Sequence, residues 1–188
     1  ALERLHDRPA GPSYTPRMTV KPILTLGDPK LRLKGEPVDS FGAYLHELLD
    51  DLAHTMRDAP GVGLAAPQIG EAMQVCVIEV EGRLYELVNP VITRSSGEDN
   101  DLEGCLSIPG YVAYVPRKEK VWVEAQDRNG RRIREQGAGL LARAMQHELD
   151  HLKGILYIDY LESFDDLIPV SRMEEELEES GEEMPALG

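Results

Sequence analysis

The residues His147-Glu148-Leu149-Asp150-His151 form an H-E-x-x-H pattern, which has the clearest chemical meaning in this sequence. On a helix, this spacing places two imidazole rings one turn apart, with the Glu148 carboxylate beside them. Neutral imidazoles bind divalent metal ions, and a neighbouring carboxylate can accept a proton from a water molecule at the metal. The pattern therefore predicts a helical metal site that carries its own general base.

A catalytic ion of this kind needs a third protein ligand and keeps one position open for water. The chain has no clear motif for the downstream Glu or His that completes the site in H-E-x-x-H proteases. Cys105, in Glu103-Gly104-Cys105-Leu106-Ser107, is the better candidate, although a small buried loop residue is the alternative. We expect Glu148 to take a proton from the metal-bound water and to deliver it to a leaving amine. This chemistry predicts hydrolysis of an amide or an ester.

A third block, Gly61-Val62-Gly63-Leu64-Ala65-Ala66-Pro67-Gln68-Ile69-Gly70, is rich in small residues. Such residues allow a substrate backbone to approach closely. Gln68 carries a neutral amide donor that can stabilise an oxyanion without competing for the metal, as can the backbone N–H of Leu106. Taken alone the block is a weak signal, because a helix-ending turn followed by a packing loop has the same composition.

The composition restricts the class of protein. The 188 residues are 41% hydrophobic, which suffices for the core of one globular domain. No stretch approaches the length of an apolar membrane span, and the N-terminus lacks the apolar centre of a signal peptide, so we expect a cytoplasmic protein without membrane contact. The net charge of −14 argues against direct binding to nucleic acid. Cys76 lies in an apolar run and is expected to be a buried structural thiol.

Periodicity predicts the elements that position these motifs. Apolar residues at spacings of three and four predict a helix that Ser40 caps and that ends before Pro60. A long helix near 139–152 carries both motif histidines on a stripe beside its apolar face. Runs of β-branched residues predict strands, the first two joined by a hairpin, at 74–80, 84–91, 111–116 and 119–126.

Three segments are expected along the chain. Residues 1–17 have little apolar periodicity and are interpreted as an N-terminal extension outside the fold. Residues 18–166 are expected to form the catalytic domain. Residues 167–188 are interpreted as a solvated or disordered acidic tail, with a charged helix as the alternative.

The blocks G-V-G-L-A-A-P-Q, E-G-C-L-S and H-E-L-D-H, in this order and at these separations, resemble the three signature blocks of the peptide deformylase family. The resemblance covers about residues 18–162. It implies an α+β fold in which antiparallel strands pack around a central helix that carries the H-E-x-x-H metal motif. It also implies removal of the N-formyl group from the N-terminal formylmethionine of newly synthesised proteins, with release of formate.

By motif position, the resemblance implies roles for individual residues. Cys105, His147 and His151 would bind the metal, while metal-bound water attacks the formyl carbonyl with Glu148 as general base and acid. Gln68 and the N–H of Leu106 would hold the oxyanion. The substrate would be bound by Val62, Gly63, Glu103, Gly104, Leu140 and Ala144. Of these residues, Val62, Glu103, Leu140 and Ala144, together with His147, would surround the methionine side chain. The resemblance also implies an iron(II) enzyme, so the expected cofactor is one divalent ion per chain. We expect Fe(II) in the cell and Zn, Ni or Co as possible ions in purified protein.

The expected partners are formylmethionyl nascent peptides and, transiently, the ribosome, with the protein itself a monomer. The acidic residues 174–179 depart from family members whose basic C-terminal helix is thought to contact the ribosome, and they are interpreted as a solubilising tail without a partner, with a basic ribosomal protein as the alternative. Two other functions stay open. A zinc peptidase leaves Cys105 unexplained, and a binding protein with a structural metal needs a fourth ligand and leaves Glu148 without a role.

Overall fold

The computed structural model describes residues 19–181, so the expectation for residues 1–17 and the end of the acidic tail lie outside the described residues. Within this range the helices are α1 (Ala43–Asp58), α2 (Leu140–His151) and α3 (Val170–Ser180). The strands are β1 (Gly63–Ala65), β2 (Val75–Val80), β3 (Arg83–Ser96), β4 (Asp99–Gly104), β5 (Tyr111–Arg117), β6 (Lys120–Gln126), β7 (Arg132–Ala138) and β8 (Ile168–Pro169).

The described strands form two antiparallel sheets. The larger sheet has the order β1-β2-β3-β6-β7, and the smaller sheet has the order β4-β5-β8. Strand β3 has register shifts against β6 between Val88 and Val91 and between Ile92 and Arg94, and irregularities of this kind bend a strand. The α+β class with antiparallel strands around a central helix is confirmed.

Strand β2 is buried on both faces, which explains its unbroken apolar sequence. Cys76 and Ile78 belong to the hydrophobic cluster that includes α2, whereas Val75 and Val77 belong to the cluster that includes α1. The larger sheet therefore lies between the two helices. Cys76 is fully buried, and burial raises the pKa of its thiol, as expected for a structural cysteine.

Most of the predicted elements are present, with shifted boundaries. Four of the strands and the hairpin turn at Glu81-Gly82 agree with the prediction, as does α2. Helix α1 begins two residues later than predicted, because Gly42 rather than Ser40 is its N-cap. Four strands were missed, namely β1, β4, β7 and β8. The sequences of β4 and β7 are largely polar, so neither has the apolar alternation that reveals a strand.

The segment after residue 166 differs from the predicted solvated or disordered tail. Its first residues form β8, which pairs with β5, and α3 follows directly. Met173 of α3 is buried, so the helical alternative is the one that the structure shows. In the described range, each helix is too short or too polar to cross a lipid bilayer.

Helix α2 is held closely against β7 at Gly137. A Cβ atom at this position would lie 2.9 Å from Met145 Sδ and 3.0 Å from the backbone nitrogen of Ala142. Both contacts are shorter than van der Waals separation, so glycine is required for this approach. The position of α2, and of the histidines that it carries, therefore depends on a residue without a side chain.

Replacing Gly137 with valine is expected to lower the free energy of unfolding by about 1–3 kcal/mol, the usual cost of overpacking a core. Ala138, the next residue, is exposed, so Ala138→Val is a matched control with an expected change below about 0.5 kcal/mol. Urea unfolding followed by circular dichroism measures both changes. Wild-type stability in G137V would contradict the close packing of α2 on β7.

Candidate metal centre

Three metal-ligating atoms converge where α2 meets the residue after β4. His147 and His151 lie one turn apart on α2, and their Nε2 atoms are 3.1 Å apart. The Sγ atom of Cys105 lies 3.3 Å from His151 Nε2. The ligand atoms of the three residues all lie within 4.8 Å of one another. The fold thus brings together three predicted ligands that are widely separated in sequence.

The electrostatics of this cluster favour a cation. Burial is the main cause that lowers the pKa of His151 well below its usual value, so its ring is neutral and can bind a metal. Burial also acts to lower the pKa of His147, but the negative charges of Cys105 and Glu103 outweigh it and raise this pKa. A positive charge at this place is therefore stabilised by its surroundings.

The Glu103 carboxylate orients His147 from the side opposite the cluster. Its Oε1 atom lies 2.6 Å from His147 Nδ1. When Nδ1 donates to this carboxylate, the lone pair of the ring is on Nε2, the atom that faces His151. Such a carboxylate fixes both the tautomer and the ring orientation of a metal-binding histidine.

Two buried arginines in turn hold Glu103. Arg117 donates to Oε1 at 2.6 Å and to Oε2 at 3.0 Å, and Arg143 donates to Oε2 at 2.9 Å. Burial of Glu103 would raise its pKa, but hydrogen bonds from His147 and Arg117 outweigh this effect and lower the pKa to about 2. Arg117 also donates to Asp150 of α2 at 2.6 Å. Glu103 is therefore ionised at neutral pH and is tied to the helix that carries the histidines.

Glu148 lies on α2 between the two histidines and faces the same cleft as Cys105. It is 2% exposed, and its Oε2 atom is a buried oxygen without a hydrogen-bond partner in the described part of the chain. Burial raises the pKa of Glu148 to about 7. A Cβ atom on Gly63 would overlap Glu148 Oε1, so only glycine leaves room for this carboxylate. Glu148 can therefore accept or release a proton near neutral pH.

Gln68 directs its amide donor towards the cysteine. Its Oε1 atom accepts a hydrogen bond from the N–H of Ala65 at 2.9 Å. Its Nε2 atom lies 3.1 Å from Ser107 Oγ and 3.7 Å from Cys105 Sγ. Leu106 lines the same cleft. Donors fixed in this way suit the stabilisation of an oxyanion beside the metal site.

These groups open onto a cleft of about 240 Å³. Of the residues predicted to bind substrate, Val62, Gly63 and Gly104 line the cleft, whereas Glu103, Leu140 and Ala144 do not. Glu103 and Ala144 are fully buried, and Val62 packs against the cluster that contains Ala144. A contact of Glu103, Leu140 and Ala144 with a methionine side chain stays a prediction.

The sequence motifs did not predict several residues of the site. Arg117 has no local pattern, because its contact with Glu103 depends on the pairing of β4 with β5. Arg143 is four residues before His147, and this helical spacing was its only signal. The cleft also includes unpredicted residues, namely Pro60, Ile108, Pro109, Gly110, Tyr111, Val112 and Val170. Those at 108–112 directly follow E-G-C-L-S, but Val170 is far away in sequence.

Known proteins resemble the chain over most of its length. The sequence model of the polypeptide deformylase family matches residues 20–166. The peptide deformylase of Heliobacterium modesticaldum is 53% identical over 146 residues, which are 78% of this chain and 97% of that protein. A peptide deformylase structure from Legionella pneumophila has a TM-score of 0.75 at 40% identity and covers 89% of this chain and 100% of its own. A Met-Ala-Ser-bound class I type b peptide deformylase from Acinetobacter baumannii has a TM-score of 0.74 at 32% identity, covering 77% and 99%.

The metal-free protein should lose stability as Glu148 ionises. Its folded-state pKa of about 7 lies above the ordinary value of 4.5, so the stability from this group is present below pH 4.5 and is lost as the pH rises through 7. Glu148→Gln cannot ionise, so it should gain about 2–3 kcal/mol over wild type between pH 5 and pH 8. His147 and His151 are present in both proteins, so their contributions to the free energy of unfolding largely cancel in the difference between the variant and wild type. Urea unfolding of chelator-treated samples measures it, and parallel pH curves would contradict the raised pKa.

Proposed function

This chain belongs to the polypeptide deformylase family, metal-dependent enzymes that hydrolyse the formyl amide of N-terminal formylmethionine, and from this premise we propose which of its residues carry out each part of the reaction. Cys105, His147 and His151 bind the metal, and Glu148 transfers the proton. One observation above all supports this assignment. Three possible ligand atoms lie within 4.8 Å of one another beside a buried carboxylate, one oxygen of which has no hydrogen-bond partner among residues 19–181.

The donor set fits a catalytic divalent ion. Two imidazole nitrogens and one thiol sulfur are ligands that zinc, iron(II), nickel and cobalt accept. The negative charges of Cys105 and Glu103 stabilise a positive charge here, as the raised pKa of His147 indicates. When bound, such an ion acts as a Lewis acid and lowers the pKa of a coordinated water molecule. We assign Fe(II) to the site in the cell, with zinc, nickel or cobalt accepted by purified protein.

Glu148 and Gln68 divide the remaining chemistry. The unpartnered Oε2 atom of Glu148 accepts the proton of the attacking water and later donates it to the amine of methionine. A pKa of about 7 allows the same carboxyl group to do both at neutral pH. The Nε2 group of Gln68 and the N–H of Leu106 stabilise the negative charge that develops on the formyl oxygen.

The substrate is a formylmethionyl peptide in an extended conformation. The backbone around Val62, Gly63 and Gly104, which lines the cleft, pairs with the peptide. Glu103, Leu140 and Ala144 lie near the methionine side chain. The Acinetobacter baumannii relative was crystallised with Met-Ala-Ser, the product expected from deformylation of formyl-Met-Ala-Ser. This supports the binding of such a peptide in the cleft of this chain.

We place the protein in the cytoplasm, where formylmethionyl chains are made, as a monomer that meets the ribosome transiently. The glutamates of α3 are exposed, and negative side chains do not neutralise RNA phosphate. A contact through α3 therefore requires a basic ribosomal protein. Direct binding to nucleic acid is not part of the proposed function.

Metal binding should require Cys105 but not Cys76. Anaerobically purified wild-type protein is expected to contain about one iron per chain. Cys105→Ala should lose most of this metal, because one of three ligands is missing. Cys76→Ala is the matched control, since Cys76 lies in the core around β2. Elemental analysis after dialysis against a weak chelator measures both, and full metal retention by C105A would contradict the ligand assignment.

Glu148→Ala should lower the turnover of formyl-Met-Ala-Ser by about 10²–10⁴-fold, the usual contribution of a general base and acid. The variant keeps all three ligands, so its metal content should equal that of wild type. Glu124→Ala, at an exposed carboxylate of β6 paired with Arg134, is the control and should keep wild-type turnover. Amine release by anaerobic enzyme is the measurement. Wild-type turnover in metal-loaded E148A would rule out the proton-transfer role, and no release by metal-loaded wild type would overturn the proposed function.

A further inference from the structure

The C-terminal segment forms part of the wall of the substrate cleft. Strand β8 pairs with β5 through Tyr111 and Val112. Immediately after β8, the backbone nitrogen of Val170 donates to the carbonyl of Gly110 at 3.0 Å. Val170 lines the same cleft as Cys105 and is half-buried. The segment that was expected to be a solvated tail thus contributes a fixed side chain to the site.

The exposure of the lining residues distinguishes the two ends of the cleft. The reactive end is closed, since His147 is 4% exposed and Glu148 is 2% exposed. Tyr111, at the other end, is 45% exposed. The cleft volume of about 240 Å³ lies below the roughly 300–1,000 Å³ of typical ligand pockets. An extended peptide with its formyl group at Glu148 therefore fills the closed end with its first residue and leaves past Tyr111 and Val170.

The open end is apolar. The exposed or half-buried residues of its lining are Pro60, Pro109, Gly110, Tyr111 and Val170, and the neighbouring Ile108 and Val112 are buried. The charged groups of the cleft, Glu148 and His147, belong to the metal centre. Beyond Val170, the exposed glutamates of α3 begin at Glu174, about one helical turn further along. An apolar side chain is favoured at this wall, and an acidic one is disfavoured because the apolar lining removes its charge from water.

We propose that Val170, together with Tyr111, binds the residues that follow formylmethionine in the substrate, so that the C-terminal segment sets a preference for apolar side chains at these positions. This inference rests on the proposed function, because it takes the direction of the peptide from the position of Glu148. The physical basis is contact between apolar surfaces, which strengthens binding roughly in proportion to the area removed from water.

The test compares two substrates in each protein. Formylmethionine amide is too short to reach Val170 and Tyr111, whereas formyl-Met-Leu-Leu extends past them. The measured quantity is kcat/KM for the tripeptide divided by kcat/KM for the amide, with enzyme loaded with the same metal. In Val170→Asp this ratio should fall about tenfold, near the lower end of what one apolar contact contributes in a substrate pocket. Replacing leucine with aspartate in the tripeptide should lower the ratio in wild type as well.

Val91→Asp is the matched control, because Val91 is an exposed valine of β3 in the larger sheet, away from the cleft. The ratio of the two kcat/KM values in V91D should equal that of wild type. Val170→Ser removes the apolar contact without adding charge and should lower the ratio in the same direction, which keeps the test valid if V170D folds poorly. An unchanged ratio in folded V170D or V170S, or an equal fall in V91D, overturns the proposal. Loss of activity on both substrates in wild type would instead overturn the proposed function on which it rests.

Discussion

The site depends on the buried carboxylate of Glu103. This group receives hydrogen bonds from a histidine of α2 and from two arginines, one on β5 and one on α2. An isolated buried carboxylate is strongly disfavoured, and a single positive partner satisfies only part of its hydrogen-bonding capacity. With three donors, Glu103 stays ionised and holds the ring of His147 with Nδ1 towards the carboxylate and Nε2 towards His151. The network also joins the smaller sheet to the central helix, so the distance between Cys105 and the histidines is set by the same interactions.

Burial of the larger sheet on both faces provides the frame for this arrangement. Because β2 packs against α1 on one face and α2 on the other, α2 cannot shift without opening a core cluster. Its close approach to β7 at Gly137 adds a steric limit. The two histidines proposed as metal ligands thus lie on a helix whose position is determined by apolar packing, while the proposed cysteine ligand follows a strand of the second sheet. Rigid elements of this kind hold ligands with little reorganisation.

The sequence predicted the parts of the structure that depend on local spacing. The two histidines are four residues apart on a helix, and β2, β5 and β6 have the composition of buried strands, so local physics suffices for them. The pairing of Glu103 with Arg117 depends on the register between β4 and β5 and on the docking of α2, which no short window contains. Strands β4 and β7 were not predicted from the sequence, because their pairing partners rather than an apolar pattern of their own stabilise them. Val170 reaches the cleft because β8 adds to β5, and a strand as short as Ile168–Pro169 gives no local sign of this pairing.

The burial of Glu148 lowers the stability of the fold and raises the pKa of its carboxyl group. Its carboxyl group is buried with one oxygen unpartnered among the described residues, and ionisation there costs free energy that an exposed glutamate does not lose. The neighbouring backbone enforces this placement, since Gly63 leaves room for the carboxylate and a larger residue does not. An added hydrogen-bond donor would stabilise the ionised form and lower the pKa from about 7, which would weaken Glu148 as an acid at neutral pH. The lack of a hydrogen-bond partner for this oxygen among residues 19–181 therefore fits the proposed role, in which one residue accepts a proton in one step and donates it in the next.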